Sequence, residues 1–226
     1  MFEINHNLKI VEETILGSKI YCIDNFYKNP EEVADYIFNR SVPLWKIGQV
    51  PSYNNVYFND KRLIKDDSRI IKVYEFLSDL CGGKIHYGSN GVSISTNMTR
   101  FAKSTFNDYK NCFWWPHLDS GYNGVVYFNK DDENSGTNLY HPNVMKTFEW
   151  EYKNSITEHY LCWRPKDKYN LLKSYKSKYN SLCLFDGSKF PHGMNICNDK
   201  FFSDIPISHL NVDWKYYRSN QVFFLF

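Results

Sequence analysis

From Gly91 onward this chain is cut into short runs with strand character. Val92-Ser93-Ile94-Ser95-Thr96 alternates apolar and polar residues, the period of two expected of a half-buried strand. Further runs follow at 113–117, 124–129, 136–140, 181–186 and 219–226, with turn residues between them. Runs this short bury their apolar faces only against one another, in a sandwich, a roll or a barrel.

The first part of the chain reads differently. Leu8-Lys9-Ile10-Val11 and Ile20-Tyr21-Cys22-Ile23 are two strands split by Gly17. Asn29-Pro30-Glu31-Glu32 opens a helix: Asn29 can cap it, Pro30 suits the first turn, and the glutamates favour the positive end of the dipole. Val33, Tyr36, Ile37 and Phe38 then recur at helical spacing. Residues 43–60 read as loop, with Pro43, Pro51 and several asparagines. A second helix is expected from Asp67 to Leu80, facing inward with Ile70, Ile71, Val73, Tyr74 and Leu77 and ending before Gly82-Gly83. Two helices followed by a strand series predict an α+β, mainly β fold: a jelly-roll-like double-stranded β-helix with the N-terminal helices on one face.

Residues 141–180 interrupt the strand series. The spacing of Leu171, Leu172, Tyr175 and Tyr179 predicts a helix from Asp167 to Tyr179, with Lys166, Lys168, Lys173, Lys176 and Lys178 on its solvated side. A connection this long in a compact domain is commonly functional, and its position suggests a lid or substrate-recognition element.

The chemistry sits in Trp114-Trp115-Pro116-His117-Leu118-Asp119-Ser120-Gly121. If the run is extended, a period of two puts His117 and Asp119 on one face, where an imidazole nitrogen and a carboxylate oxygen can reach the same ion. A second histidine, in Pro191-His192-Gly193, follows the apolar run Leu182-Cys183-Leu184-Phe185. Two histidines and one carboxylate with open positions opposite suit a non-heme Fe(II) oxygenase. A lone histidine on a strand is more often a hydrogen-bonded core residue, and the pairing with Asp119 is what favours ligation. His86, His141, His159 and His209 have no partner at ligand spacing and are read as structural.

Taken together, His117-x-Asp119, Gly124-Val125-Val126-Tyr127-Phe128-Asn129, Ser135-Gly136-Thr137-Asn138-Leu139-Tyr140 and Leu184-Phe185-Asp186-Gly187 running into His192 resemble the core of the Fe(II)/2-oxoglutarate-dependent dioxygenases. The prolyl-4-hydroxylase-like branch is the most similar, and Ile23-Asp24-Asn25-Phe26-Tyr27-Lys28-Asn29-Pro30-Glu31-Glu32-Val33 resembles the opening of its small bacterial and phage members. The resemblance implies a hydroxylase that holds Fe(II) through His117, Asp119 and His192. It would consume O2 and 2-oxoglutarate and release succinate and CO2. It also implies a basic residue after the distal histidine for the far carboxylate of 2-oxoglutarate, a role that suits the fixed fork of an arginine. Arg218, opening a strand whose face it shares with Asn220, is preferred over Lys200, although its separation from His192 is long for the family. Asn97, Thr99 and Tyr109 are the candidates for further co-substrate contacts.

At 226 residues with 18% aromatic content, the chain is expected to form one domain over residues 1–226. Strands and support helices would fill 1–90, and the β core 91–226, with the insert at 141–180. A formal net charge of +2 gives no reason to expect a polyanion partner, so a protein, amino acid or small metabolite is favoured over duplex DNA as substrate. Cys22, Cys81, Cys112, Cys162, Cys183 and Cys197 contain no Cys-x-x-Cys pair and are read as free thiols. With no apolar span of membrane length and no secretory pattern, a cytoplasmic setting in a bacterium or a virus-infected cell is expected, without a membrane partner. Two other functions fit the same residues: a β-helix binding module without turnover, and a cupin-like metalloenzyme that does not use 2-oxoglutarate. A carboxylate-binding Arg218 separates the leading reading from both.

Overall fold

The computed structural model describes residues 1–41, 46–47, 53–59, 69–83, 93–101, 103, 106–130, 135–144, 163–203 and 213–226. Two strands at the N-terminus, β1 (Lys9–Ile15) and β2 (Ser18–Asp24), form a hairpin, and α1 (Pro30–Ser41) follows with Glu31 and Glu32 in its first turn. Next come β3 (Lys46–Ile47), β4 (Tyr53–Asn59) and α2 (Arg69–Leu80). The region read as loop over 43–60 therefore contains two strands. Its asparagines are poor strand formers, but the backbone of β4 pairs along β5 (Ser93–Phe101) from Tyr53↔Phe101 to Asn59↔Ser95, and the open edge of β5 decides the outcome.

The remaining strands are β6 (Cys112–His117), β7 (Tyr122–Tyr127), β8 (Thr137–Tyr140), β9 (Trp163–Pro165), β10 (Leu171–Tyr175), β11 (Leu182–Asp186), β12 (His192–Met194) and β13 (Arg218–Leu225), with the short α3 (Asp108–Asn111) before β6. They form an eight-stranded sheet in the order β1-β2-β11-β7-β13-β5-β4-β3 and a five-stranded sheet in the order β10-β8-β12-β6-β9. All the strand pairings among the described residues are antiparallel. From β5 to β13 the chain passes back and forth between the sheets, except that β8, β9 and β10 follow one another in the small one: β5, β7, β11 and β13 lie in the large sheet, while β6, β8, β10 and β12 lie in the small one. The two central quartets, β11-β7-β13-β5 and β10-β8-β12-β6, wind as a double-stranded β-helix, as the strand series predicts.

No helix forms over 167–179. A single 3-10 turn at Lys166–Lys168 leads into β10, whose backbone pairs with β8 from Leu171↔Tyr140 to Tyr175↔Thr137 with a bulge near the start. The helical spacing of 171, 172 and 175 was real but local. β8 would otherwise present unpaired backbone at its outer side, and that tertiary demand overrides propensity. The lysines are solvated as expected, although they project from a strand and turns. Lys173 pairs with Glu13 and Lys178 with Asp24. The 141–180 segment thus supplies core strands; its residues 145–162, and with them any lid, lie outside the described residues.

Each face of the large sheet has its own core. Outside, Val33, Ala34, Ile37 and Phe38 of α1 and Ile70, Val73, Tyr74 and Leu77 of α2 pack on Ile94, Met98, Val126, Leu184, Phe223 and Leu225. Between the sheets lie Val125, Tyr127, Cys183 and Phe185 from one side and Leu139 and Tyr175 from the other. Alternation along β13 therefore sends Phe223 and Leu225 toward the helices, and Arg218, Asn220 and Val222 into the space between the sheets. The described cysteines, which leave out Cys162, form no disulfide.

Candidate metal centre

His117, Asp119 and His192 come together at one end of the space between the sheets, with one donor atom from each lying within 4.8 Å of the others. His117 ends β6 and His192 begins β12, and the two residues are directly opposite in the antiparallel pairing. Asp119 does not lie on the strand. It falls two residues past the end of β6, and its backbone N–H donates to the Gly187 carbonyl at 3.1 Å, which fixes the turn into β7.

A bulge sets the first histidine. The β6–β12 register moves from His192↔His117 to Met194↔Trp114, so two residues of β6, Trp115 and Pro116, face the single Gly193 of β12. Within the bulge Trp115 adopts φ of +43°, an uncommon conformation for a bulky side chain. The extra residue lets Trp114 and His117, three apart, both face inward, which strict alternation forbids. Gly193 makes room: a methyl group there would stand 2.4 Å from the Trp114 carbonyl oxygen and 3.0 Å from that of Trp115.

Both imidazoles are held by their far nitrogen. His117 Nδ1 lies 2.7 Å from the Trp115 carbonyl, and His192 Nδ1 lies 3.0 Å from that of Phe190. A carbonyl only accepts, so each Nδ1 carries a hydrogen, and each neutral ring presents a bare Nε2. These point at one carboxylate oxygen: Asp119 Oδ2 is 3.2 Å from His192 Nε2 and 3.7 Å from His117 Nε2. An ion binding N and O donors at about 2.1 Å holds them roughly 3.0–3.6 Å apart for angles of about 90–120°.

Lone pairs converging in this way repel unless a cation or a hydrogen-bond donor lies among them. A proton on His192 is disfavoured, because burial and the neighbouring His117 push that imidazole down, against the upward pull of Asp119. Burial alone would raise the Asp119 carboxyl, but hydrogen bonds and charge from His117 and His192, supplied when those rings are protonated, outweigh it and hold the group well below the usual carboxylate range. A divalent metal ion fits a carboxylate and two neutral imidazoles better than a proton does. The set opens on one side, where the His117 and Asp119 side chains are 28% and 26% exposed against 6% for His192.

Of the residues read as co-substrate contacts, four occupy facing positions on two strands. Arg218 is opposite Thr99, and Asn220 is opposite Asn97, to which it is joined by a 3.2 Å hydrogen bond from Asn97 Nδ2. Arg218 is buried; its Nε donates to the Ser135 carbonyl at 2.6 Å and Nη2 to that of Gly136 at 2.9 Å. Its guanidinium carbon lies 5.7 Å from the centre of the Tyr127 ring. Tyr127 and Thr137 share a 2.6 Å hydrogen bond between their hydroxyls on the same interior face. Asn129 orders the start of β13: its side chain accepts from Ser219 N and donates to the Tyr217 carbonyl.

Two candidates are not in this group. Tyr109 sits in α3 with its ring against Phe106 and Phe202, in an aromatic cluster built on Phe101 and Trp114. Lys200 is exposed in a turn, its ammonium over the Phe201 ring. The residues that sequence reasoning passed over are Asn123, Tyr127 and Thr137. The first two were findable, because Asn123, Val125 and Tyr127 are the alternate positions of a strand that begins just after Asp119.

No protein-family model and no curated protein matches the chain. Among solved structures, the crystal structure of a Pseudomonas putida prolyl-4-hydroxylase is similar at 9% identity with a TM-score of 0.41, over 86% of this chain and 84% of that one.

Proposed function

We propose that the protein is a single-domain Fe(II)- and 2-oxoglutarate-dependent oxygenase that hydroxylates a protein, an amino acid or a small metabolite. The observation that carries this reading is the convergence of two bare Nε2 atoms on the Asp119 carboxylate at the open end of the β-helix, with a buried arginine deeper on the same interior face. Held by His117, Asp119 and His192, Fe(II) would supply oxygen activation coupled to conversion of 2-oxoglutarate to succinate and CO2.

The chain's own residues have simpler tasks. His117 and His192 keep Nε2 unprotonated through the carbonyls of Trp115 and Phe190. Asp119 balances one of the two metal charges. Arg218, its fork oriented by Ser135 and Gly136, offers a cation for the far carboxylate of 2-oxoglutarate, with the Tyr127 and Thr137 hydroxyls beside it. Val125 and Phe185 wall the space between and limit water.

A metalloenzyme that does not use 2-oxoglutarate is the second reading. One observation favours it: Arg218 already ties β13 to the Ser135–Gly136 segment, which is structural work. Succinate formation separates the two readings. The protein supplied with Fe(II), O2 and 2-oxoglutarate should release succinate, and the Asp119→Ala variant should not. Metal binding without 2-oxoglutarate consumption, across a screen of candidate substrates, would favour the second reading.

A further inference from the structure

The Asn123 carboxamide touches two of the three candidate ligands. Its Nδ2 lies 2.5 Å from Asp119 Oδ2 and 3.1 Å from His192 Nε2. The side chain is 2% exposed, and its Oδ1 has no hydrogen-bond partner among the described residues. Burying an amide so incompletely satisfied is unfavourable, so packing alone does not account for an asparagine at this place. A leucine of similar size would fill the interior of β7 as Val125 does two residues on.

The chain also keeps a space for this amide. A methyl group at Gly187 would meet Asn123 Oδ1 at 2.9 Å, Cγ at 3.0 Å and Nδ2 at 3.1 Å. The carboxamide lies flat against the Gly187 α-carbon. Gly187 also accepts the Asp119 backbone hydrogen bond, so one residue seats both the carboxylate and the amide that holds it.

We infer that Asn123 is a positioning residue of the metal centre, whose N–H group clamps the metal-facing oxygen of Asp119, and that Gly187 is there to admit it. The inference rests on the reading of His117, Asp119 and His192 as metal ligands. A carboxylate oxygen has lone pairs for both an ion and an N–H donor, so the clamp survives metal entry, whereas the single lone pair of His192 Nε2 passes to the ion. Fixing the carboxylate in advance leaves less freedom to be lost on binding, and partners of this kind tune affinity by roughly 10–100-fold.

Titration of the metal-free full-length protein with Co(II), followed by calorimetry and by the visible d–d bands of the bound ion, tests this. Asn123→Ala should weaken Co(II) binding by roughly 10–100-fold and alter the bands, with the thermal midpoint of the metal-free protein little changed. Gly187→Ala, which pushes the amide aside, should weaken binding as well. If it acts through Asn123, the double variant should bind no worse than Asn123→Ala. Wild-type affinity and spectrum in Asn123→Ala would overturn the assignment and leave the metal reading standing. A double variant in which the two losses multiply would overturn the part given to Gly187. Failure of the wild-type protein to bind Co(II) at this set would overturn both readings.

Discussion

His192 Nε2 stands 3.2 Å from Asp119 Oδ2, although one residue begins a strand of the small sheet and the other lies in the turn leading into the large one. The contact joins the two walls of the β-helix at its open end, and both atoms bring lone pairs to it. Replacing any one of His117, Asp119 and His192 by alanine should therefore lower affinity for Mn(II) or Fe(II) by more than about 100-fold, beyond what loss of a supporting residue does. Circular dichroism should stay native, since the triad contributes little to either apolar core. Calorimetry under anaerobic conditions measures it, and near-native affinity in His192→Ala would remove that residue from the set.

Acid should destabilise the metal-free protein. Both His192 and Asp119 have folded-state proton affinities below their ordinary values of 6.5 and 3.8. At these two groups the unfolded chain then binds more protons than the folded one, so their contribution to stability rises with pH. The loss begins as pH falls through the ordinary imidazole value and deepens as it falls through the ordinary carboxyl value. The thermal midpoint, followed from about pH 8 down to about pH 5, should decrease. A midpoint that rises on acidification would contradict the assigned directions.

Gly193→Ala is expected to lower both stability and metal affinity. The added methyl meets backbone carbonyls at the Trp114–Trp115 bulge, which cannot step aside as a side-chain end can. Overpacking of this kind amounts to about 1–3 kcal/mol and should appear as a lower urea midpoint. Because the same bulge aims His117, Mn(II) affinity should fall with it. A fully stable variant with unaltered affinity would show that the bulge does not depend on this glycine.

The C-terminal strand was legible in the sequence, with two exceptions. Gln221-Val222-Phe223-Phe224-Leu225-Phe226 reads as a buried central strand, and β13 does lie between β5 and β7. Phe223 is fully buried and forms an edge contact with Tyr74, but Phe224 is only partly covered and Phe226 is 52% exposed at the chain end. Burial of Phe223 alone contributes roughly 1.5–3 kcal/mol, and deleting 221–226 also strands the backbone of two neighbours. The truncated protein should be insoluble or unfolded. A soluble truncation that still binds Mn(II) would refute the placement.

What could be read and what could not divides along physical lines. Period-two runs and the two histidines were legible because a buried face imposes its pattern on the residues themselves. β4 and β10 were not, since both are recruited by an open strand edge elsewhere in the fold, and backbone pairing leaves little mark on side-chain composition. Asp119 comes beside His117 by another route than strand alternation: it reaches His117 from a turn pinned by Gly187. Tyr109 falls apart from Asn97 and Thr99 because β5 ends at Phe101 and Tyr109 lies in α3, before β6.

The most direct measurement is calorimetric titration of 2-oxoglutarate into the full-length protein under anaerobic conditions, with and without Mn(II) or Fe(II). If His117, Asp119, His192 and Arg218 form one co-substrate site, binding should require the metal. Arg218→Ala should weaken it by a few kcal/mol, on the order of losing one partner of a buried charge pair, while metal affinity is kept. Lys200→Ala, altering an exposed turn, should bind as wild type does. Metal binding at the triad with no 2-oxoglutarate binding, or a larger loss from Lys200→Ala than from Arg218→Ala, would contradict the account.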